Sequence, residues 1–429
     1  MTRSFPAFVL LATLVSPVAR AGDWTSWGGP THDFRVKVKD ISATWPEGGP
    51  KKLWSRPLGD GYSAIVTDGK TLYTMYSIRK EKEKGKFELD GQEVAVALDA
   101  RTGKTLWEHK YDDKWYKGMA MEFGPGPHST PLLVSGRLVT VGVMGQMFCF
   151  NAKTGKVIWS HNLTTEYELA KSEGGRGYGA SPFFYKETII LPVGGKGKGV
   201  IAWNLEDGKE AWRGGDFDMT YATIFDINLG GQDQLIIFGP KDVMGMRPGT
   251  GEILWKHTHP TTFGANISTP VWDAKHNRLF ISSAYGMGSR GLELDFKDGT
   301  TTPKELWFNK KVKIHFGNAV RIGETIFGSS GDMGPSMLCS VDMQTGELNW
   351  QQRGLAKSSL LAIGKKLLIL TEDGNLVLAD VSEGEYKELA RAQVCSNNAW
   401  TVPTLVDHTL YIRDRKEIKA LDLGGKAES

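Results

Sequence analysis

One phrase returns along this chain and limits what it can fold into. It stands as ALDARTGKTLW from Ala97 and comes back as CFNAKTGKVIW from Cys149, AWNLEDGKEAW from Ala202, GMRPGTGEILW from Gly245 and SVDMQTGELNW from Ser340. Each copy reads as a strand, a tight turn and a second strand. A Gly lies four residues after the strand-end position held by Asp99, Asn151, Asn204, Arg247 or Asp342, and a Trp lies eight after it. The repeat tryptophans Trp54, Trp107, Trp159, Trp212, Trp255, Trp307 and Trp350 are 43 to 53 residues apart, room for four short strands and their loops. Such units cannot bury their faces alone, and stacking them round an axis yields a propeller.

The phrase explains itself as a structural clasp. Asp99 and its equivalents can accept hydrogen bonds from the turn backbone, Gly supplies a positive φ, and Trp can cover the gap to an adjacent sheet. The repeated Asp and Trp residues are therefore assigned to folding and not to chemistry. Inner strands are expected to begin near Tyr62, His128, Tyr178, Thr220, Asn266, Phe316, Ser358 and Trp400, which makes eight blades. The fifth unit lengthens its turn to DFKDGTTTPKELW, and the seventh has Glu388 where Trp should stand. The last unit ends at its third strand, whereas KKLWSRPL from Lys51 is a fourth strand with no third before it. These two should pair and close an all-β, eight-bladed ring of four-stranded antiparallel blades, removing the open sheet edges.

Composition agrees with that reading. Gly 52 and Trp 14 in 429 residues suit many turns and large packed side chains. A formal net charge of +3 is too small to point to nucleic acid. The opening MTRSFPAFVLLATLVSPVARA has a basic n-region, an apolar run and an A-x-A site, so residues 1–21 are expected to be a cleaved signal peptide and 22–429 a single domain. Export to the periplasm or the extracellular space follows, with no transmembrane segment in the mature chain. Cys149, Cys339 and Cys395 are expected to be unpaired, buried thiols. The charged stretch SIRKEKEKGKFELDGQE from Ser77 reads as a solvated hairpin extension.

The A-x-D-x-x-T-G-x-x-x-W phrase, with the lead-in DWTSWGGPTHDF and WPEGGPKKLW, resembles the pyrroloquinoline-quinone-like β-propeller repeat proteins. One branch of that family holds alcohol and glucose dehydrogenases that bind the quinone and Ca²⁺ on the axis, commonly beside a disulfide between adjacent cysteines. The other holds the lipoprotein scaffold of the outer-membrane β-barrel assembly machine, which has no cofactor. This chain has no adjacent cysteines, no cluster matching the Ca²⁺ ligands and no lipid-bearing Cys near its start. The resemblance therefore implies an exported, non-enzymatic binding or scaffold propeller with no cofactor and a protein partner in the cell envelope. The alternative it implies is a dehydrogenase using pyrroloquinoline quinone with calcium.

Strand alternation sorts the loops. If the Thr102-Gly103 turn marks the bottom, the second-to-third-strand loops and the loops between blades emerge at the top. Those loops are rich in Gly, Met and aromatics, and they bring His128, Arg176, Tyr178, Asn266, His315, Asn318 and Asn397 forward as candidates for contact with a ligand or partner. No spacing among them marks a metal site, and no catalytic set is expected. The methionines of the same loops are read as packing.

Overall fold

The computed structural model describes residues 23–38, 41–168, 175–396 and 398–424. The expected signal peptide and Asn397 lie outside these residues. Eight sheets form an eight-bladed propeller, each with four antiparallel strands running from the axis outward. Blade 2 shows the pattern with Leu132–Val134, Arg137–Val141, Gln146–Asn151 and Val157–Asn162. The middle strands are apolar on both faces because each blade is sandwiched between two others.

Adjacent blades are locked by the repeated phrase. The Trp107 indole donates to the Ala152 carbonyl of the next blade at 2.8 Å, Trp159 to Leu205 at 2.9 Å and Trp307 to Met343 at 3.0 Å. Each acceptor directly follows a strand-end Asp or Asn. The ring of that Trp lies under the next blade's turn Gly, so a Cβ on Gly155 would stand 2.6 Å from Trp107 and one on Gly103 2.6 Å from Trp54. Gly155 also has φ +70°. The position therefore excludes a side chain twice, by backbone conformation and by the neighbour's indole. Asp99 Oδ1 accepts from the Thr102 amide at 2.8 Å and its hydroxyl at 2.6 Å, as anticipated.

The irregular units have a common explanation. Blade 5 replaces the tight turn with a long hairpin, Gly288–Lys297 and Thr300–Asn309, so Trp255 of blade 4 has no turn Gly to cover. Its indole donates instead to the Gln234 side chain at 2.7 Å. Glu388 replaces Trp in blade 7, and the blade that follows has no turn at that point because it is where the chain ends meet. Lys51–Pro57 pairs there with Glu417–Asp422, setting Trp54 opposite Ala420.

Closure is reinforced by Arg413, a fully buried residue of blade 8. Its guanidinium donates to the blade 1 carbonyls of Met75 at 2.6 Å and Gly59 at 3.0 Å. Arg415 adds an ion pair to Asp60, with Nε to Oδ1 at 2.8 Å.

The lead-in does more than precede the first blade: it crosses the bottom of the axis. Trp24 bridges Thr67 of blade 1, the Thr25 carbonyl accepts from Leu133 of blade 2, and the Trp27 indole donates to Thr269 of blade 5 at 2.8 Å. Arg35–Val36 then adds in parallel to Ala362 and Ile363 of blade 7, and the Ser42 amide reaches the Leu423 carbonyl of blade 8. Trp24 and Phe34 are buried in the process.

The charged stretch forms its hairpin, Glu81–Glu83 with Lys86–Phe87. Arg79 at its root is the exception to the solvated reading. Its side chain is buried against Asp113 at 2.6 Å, because two strand ends and a loop cover it. The three cysteines are free and buried, and burial pushes each thiol up to about 12.

Candidate functional site

The inner strands enter from the top through Ser and Thr residues that tie neighbour to neighbour. The Ala64 amide donates to the Thr130 hydroxyl at 3.2 Å, Thr130 to Ser181 at 2.9 Å and Ser181 to Thr223 at 3.0 Å. These bonds tie the inner strands of blades 1 to 4 together at the wall of the axial mouth.

Aromatic side chains line it. Tyr62 stacks between His128, with centroids 5.7 Å apart and planes 7° from parallel, and Trp400 at 5.2 Å. Trp400 also meets Phe316 at 4.7 Å and Phe123 at 5.6 Å. The chain of rings continues through His315 and Tyr285, 4.7 Å apart, to Phe263. Arg176 spreads over the Phe123 ring at 5.1 Å and pairs with Glu122. Desolvation, with the Arg176 charge adding to it, holds His128 down to about 4, and desolvation with the Lys357 charge holds His315 down to about 4. Both imidazoles are neutral at physiological pH.

Of the residues picked from the sequence, the mouth unites His128, Arg176 and His315. Three others are placed differently. Tyr178 turns into the core between blades 2 and 3, and its amide donates to the Val143 carbonyl at 2.9 Å. Asn266 is fully buried, donating to the carbonyls of Gly239 at 2.7 Å and His259 at 3.1 Å and accepting from Ser283. Asn318 makes a reciprocal pair with Leu360 of the next inner strand, at 2.8 and 2.9 Å. These amides join blades. Residues that the sequence reasoning passed over, Tyr62, Trp400, Phe316 and Lys357, carry much of the mouth. Their signal was position: Tyr62, Phe316 and Trp400 mark the starts of inner strands.

A calcium-bound quinone would need several free oxygen ligands on the axis. Four carboxylates round the mouth are engaged: Asp60 by Arg415, Glu122 by Arg176, Asp332 by Lys313 at 3.0 Å, and Glu372 by the Trp400 indole at 3.0 Å. Asn266 and Asn318 are engaged as described. Among the described residues, metal-ligand atoms within 4.8 Å of one another gather at Asp273, His276 and Glu324, at first-to-second-strand turns on the bottom. There Arg321 reaches Asp273 at 3.3 Å and Arg278 stands 4.0 Å from Glu324, so two guanidinium charges already balance the carboxylates. Among the described residues, no group of three His, Cys, Asp or Glu ligand atoms gathers at the mouth.

A broader recess lies on the bottom face, about 1070 Å³, between the lead-in and blades 1 to 3. Leu106, Leu132, Leu133 and Phe184 supply apolar walls. Its rim polar groups serve turns: Asp68 accepts from the Lys70 and Thr71 amides, and Asn151 from Thr154.

The family model described as outer membrane protein assembly factor BamB matches residues 90–352. The chain belongs to that family. It is 21% identical to the BamB of Shewanella oneidensis, over 88% of this chain and 90% of that protein. A quinohemoprotein alcohol dehydrogenase of Pseudomonas putida, ADH-IIG, is 28% identical over 50% of this chain, and the match spans only 28% of the dehydrogenase. Among solved structures, BamB from Moraxella catarrhalis superposes with a TM-score of 0.60 at 14% identity, covering 88% of this chain and 99% of that one. The quinohemoprotein alcohol dehydrogenase of Comamonas testosteroni gives 0.65 at 14% identity, covering 96% and 82%. At such identities both neighbours show the fold alone.

Proposed function

We propose that this chain is an exported binding or scaffold propeller of the cell envelope that docks a protein on its top face and performs no chemistry of its own. The observation that carries this reading is the state of the mouth. Asp60, Glu122, Asp332, Glu372, Asn266 and Asn318 are engaged within the protein, whereas Phe123, Phe263 and Met333 stand 48%, 69% and 79% exposed around it. Aromatic, Met and Arg side chains are enriched in protein interfaces and hold affinity there. The match to BamB over nearly the whole of both chains supports a role in envelope protein assembly. No helix among the described residues is long and apolar enough to cross a membrane.

The test is site-specific photocrosslinking in the envelope of cells exporting the protein. A photoreactive residue at 263 or 333 should capture a discrete envelope protein, and one at 106 or 153, beside the bottom recess, should not. Capture from 106 or 153 alone would move the docking surface to the recess and overturn the reading. The second reading, a quinone-dependent dehydrogenase, is favoured by the identity to ADH-IIG across half of this chain.

A further inference from the structure

Between blades 6 and 7 the wall of the mouth contains a notch lined by His315, Phe316, Ser329, Ser336, Lys357 and Ser358, with a free volume of about 10 Å³. That is room for one water-sized group. Two of its polar atoms are buried without a partner, His315 Nδ1 and Ser358 Oγ. Ser358 is 5% exposed, so its hydroxyl has little access to bulk water. An unsatisfied buried donor is costly and marks a place where a polar group from outside can be received.

The donor set has one sign. The Lys357 ammonium lies 5.2 Å over the Phe316 ring, and an ammonium offers only donors. His315 Nε2 lies 2.7 Å from the Tyr285 hydroxyl. When that hydroxyl donates to Nε2, the proton of the neutral ring sits on Nδ1, the atom without a partner. The Ser358 hydroxyl is free to rotate its proton toward an acceptor. Arg176 is felt at His315 from across the axis, less than the opposing Asp332 carboxylate, which Lys313 pairs at 3.0 Å. Ser329 Oγ already donates to the Ala356 carbonyl at 3.1 Å and supplies polarity without a further obligatory donor.

A cation, a Ser hydroxyl and an imidazole N–H around a water-sized space suit one negatively charged oxygen, such as that of a carboxylate. We propose that the notch is a carboxylate-binding site that takes an Asp or Glu side chain of the protein docked on the mouth, an inference that rests on the docking reading above. The exposed Phe263 and Met333 supply apolar contact, and the notch supplies register. The space admits one oxygen, so the carboxylate enters by a single oxygen while its other oxygen faces the mouth, and an acidic side chain is the ligand chosen because the occupant of the mouth is a protein.

The experiment uses the exported full chain with ¹⁵N-labelled histidine, its His315 resonances assigned by a His315→Gln variant, and titration with tetraglutamate, tetraglutamine and acetate. Tetraglutamate should shift the His315 resonances saturably and tetraglutamine should not. Lys357→Met, which keeps the aliphatic stem over Phe316, should weaken tetraglutamate about tenfold or more with an unchanged melting temperature. Ser358→Ala should weaken it by a smaller factor. No shift at His315, an equal shift with tetraglutamine, or full affinity in Lys357→Met would each overturn the proposal. Acetate binding as tightly as the peptide would overturn it too, by making the notch a small-anion site. The two readings separate cleanly. Crosslinks from 263 and 333 with no glutamate response leave docking standing and remove the notch. A glutamate response without those crosslinks removes docking.

Discussion

The two ends of the axis are built from the same strands and solve opposite problems. At the bottom, five units present a short turn whose Gly lies against a neighbour's Trp, and the lead-in crosses the opening with Trp24, Trp27 and Phe34. At the top, the loops vary in length, and their aromatic side chains meet one another across the axis while Phe263 and Met333 remain outside. One face holds the ring together, and the other is free to differ. The contrast teaches that repetition marks the structural face and departure from repetition marks the face available for function.

The largest effect should come from opening the ring. Ending the chain after Asp414 removes Glu417–Asp422 and Arg415, leaving Lys51–Pro57 without its ladder and Asp60 without its ion pair. Loss of the cooperative melting transition is expected, followed by circular dichroism. An unchanged melt would break the closure account.

A pair of glycines sharpens the comparison. Gly155 in a bottom turn and Gly197 in a top loop have φ of +70° and +69°, but an added Cβ would meet the Trp107 ring at 2.6 Å in the first and nothing within 4 Å in the second. Gly197→Ala should cost about 1 kcal/mol, the strain of the left-handed conformation. Gly155→Ala should cost about 2–4 kcal/mol, since overpacking against the indole adds to that strain. Equal losses in denaturant titrations would show that the clasp contact contributes little.

A smaller effect is expected at the root of the loop that carries Phe123. Glu93 is fully buried, accepting from the Tyr111 hydroxyl at 2.7 Å and the Val143 amide at 3.1 Å. Asp113 and Arg79 stand beside it. Desolvation, with the Asp113 charge next in size, pushes its carboxyl up to about 8. The folded state therefore holds this proton more tightly than the unfolded chain does. Its contribution is full below the ordinary carboxyl range and is lost as pH rises toward 8. Glu93→Gln, which resembles the protonated acid, should flatten the fall in melting temperature between pH 5 and 8 and raise it by about 2 °C at the upper end. A variant that keeps the parent's slope would place the titration elsewhere.

The fold was legible because its determinants are local and repeated. Asp99, Gly103 and Trp107 announce a strand, a turn and an inter-blade cover wherever they recur, and the unmatched strands at the two ends announce their own pairing. The site was legible only in outline. Loop composition pointed to the top face and to His128, Arg176 and His315, but Asn266 and Asn318 look like surface polar residues until the register turns their amides into bonds between blades. Tyr178 was hidden in the same way by burial between two blades. The buried Arg79, Glu93, Asp113 and Arg413 were out of reach because their partners come from strands far away in sequence. The lead-in could be matched to relatives by its wording, but its path across the axis depends on closure of the whole ring.

The central claim is that the mouth is held closed by the protein's own rings and ion pairs and serves as a docking surface, not as a cofactor pocket. Titrating the purified chain with pyrroloquinoline quinone in the presence of Ca²⁺, followed by quinone absorbance and by reduction of an electron-accepting dye with an alcohol, addresses it most directly. The expected result is no saturable change in absorbance and no quinone-dependent reduction. Stoichiometric binding accompanied by alcohol-dependent dye reduction would contradict the account and establish the dehydrogenase reading.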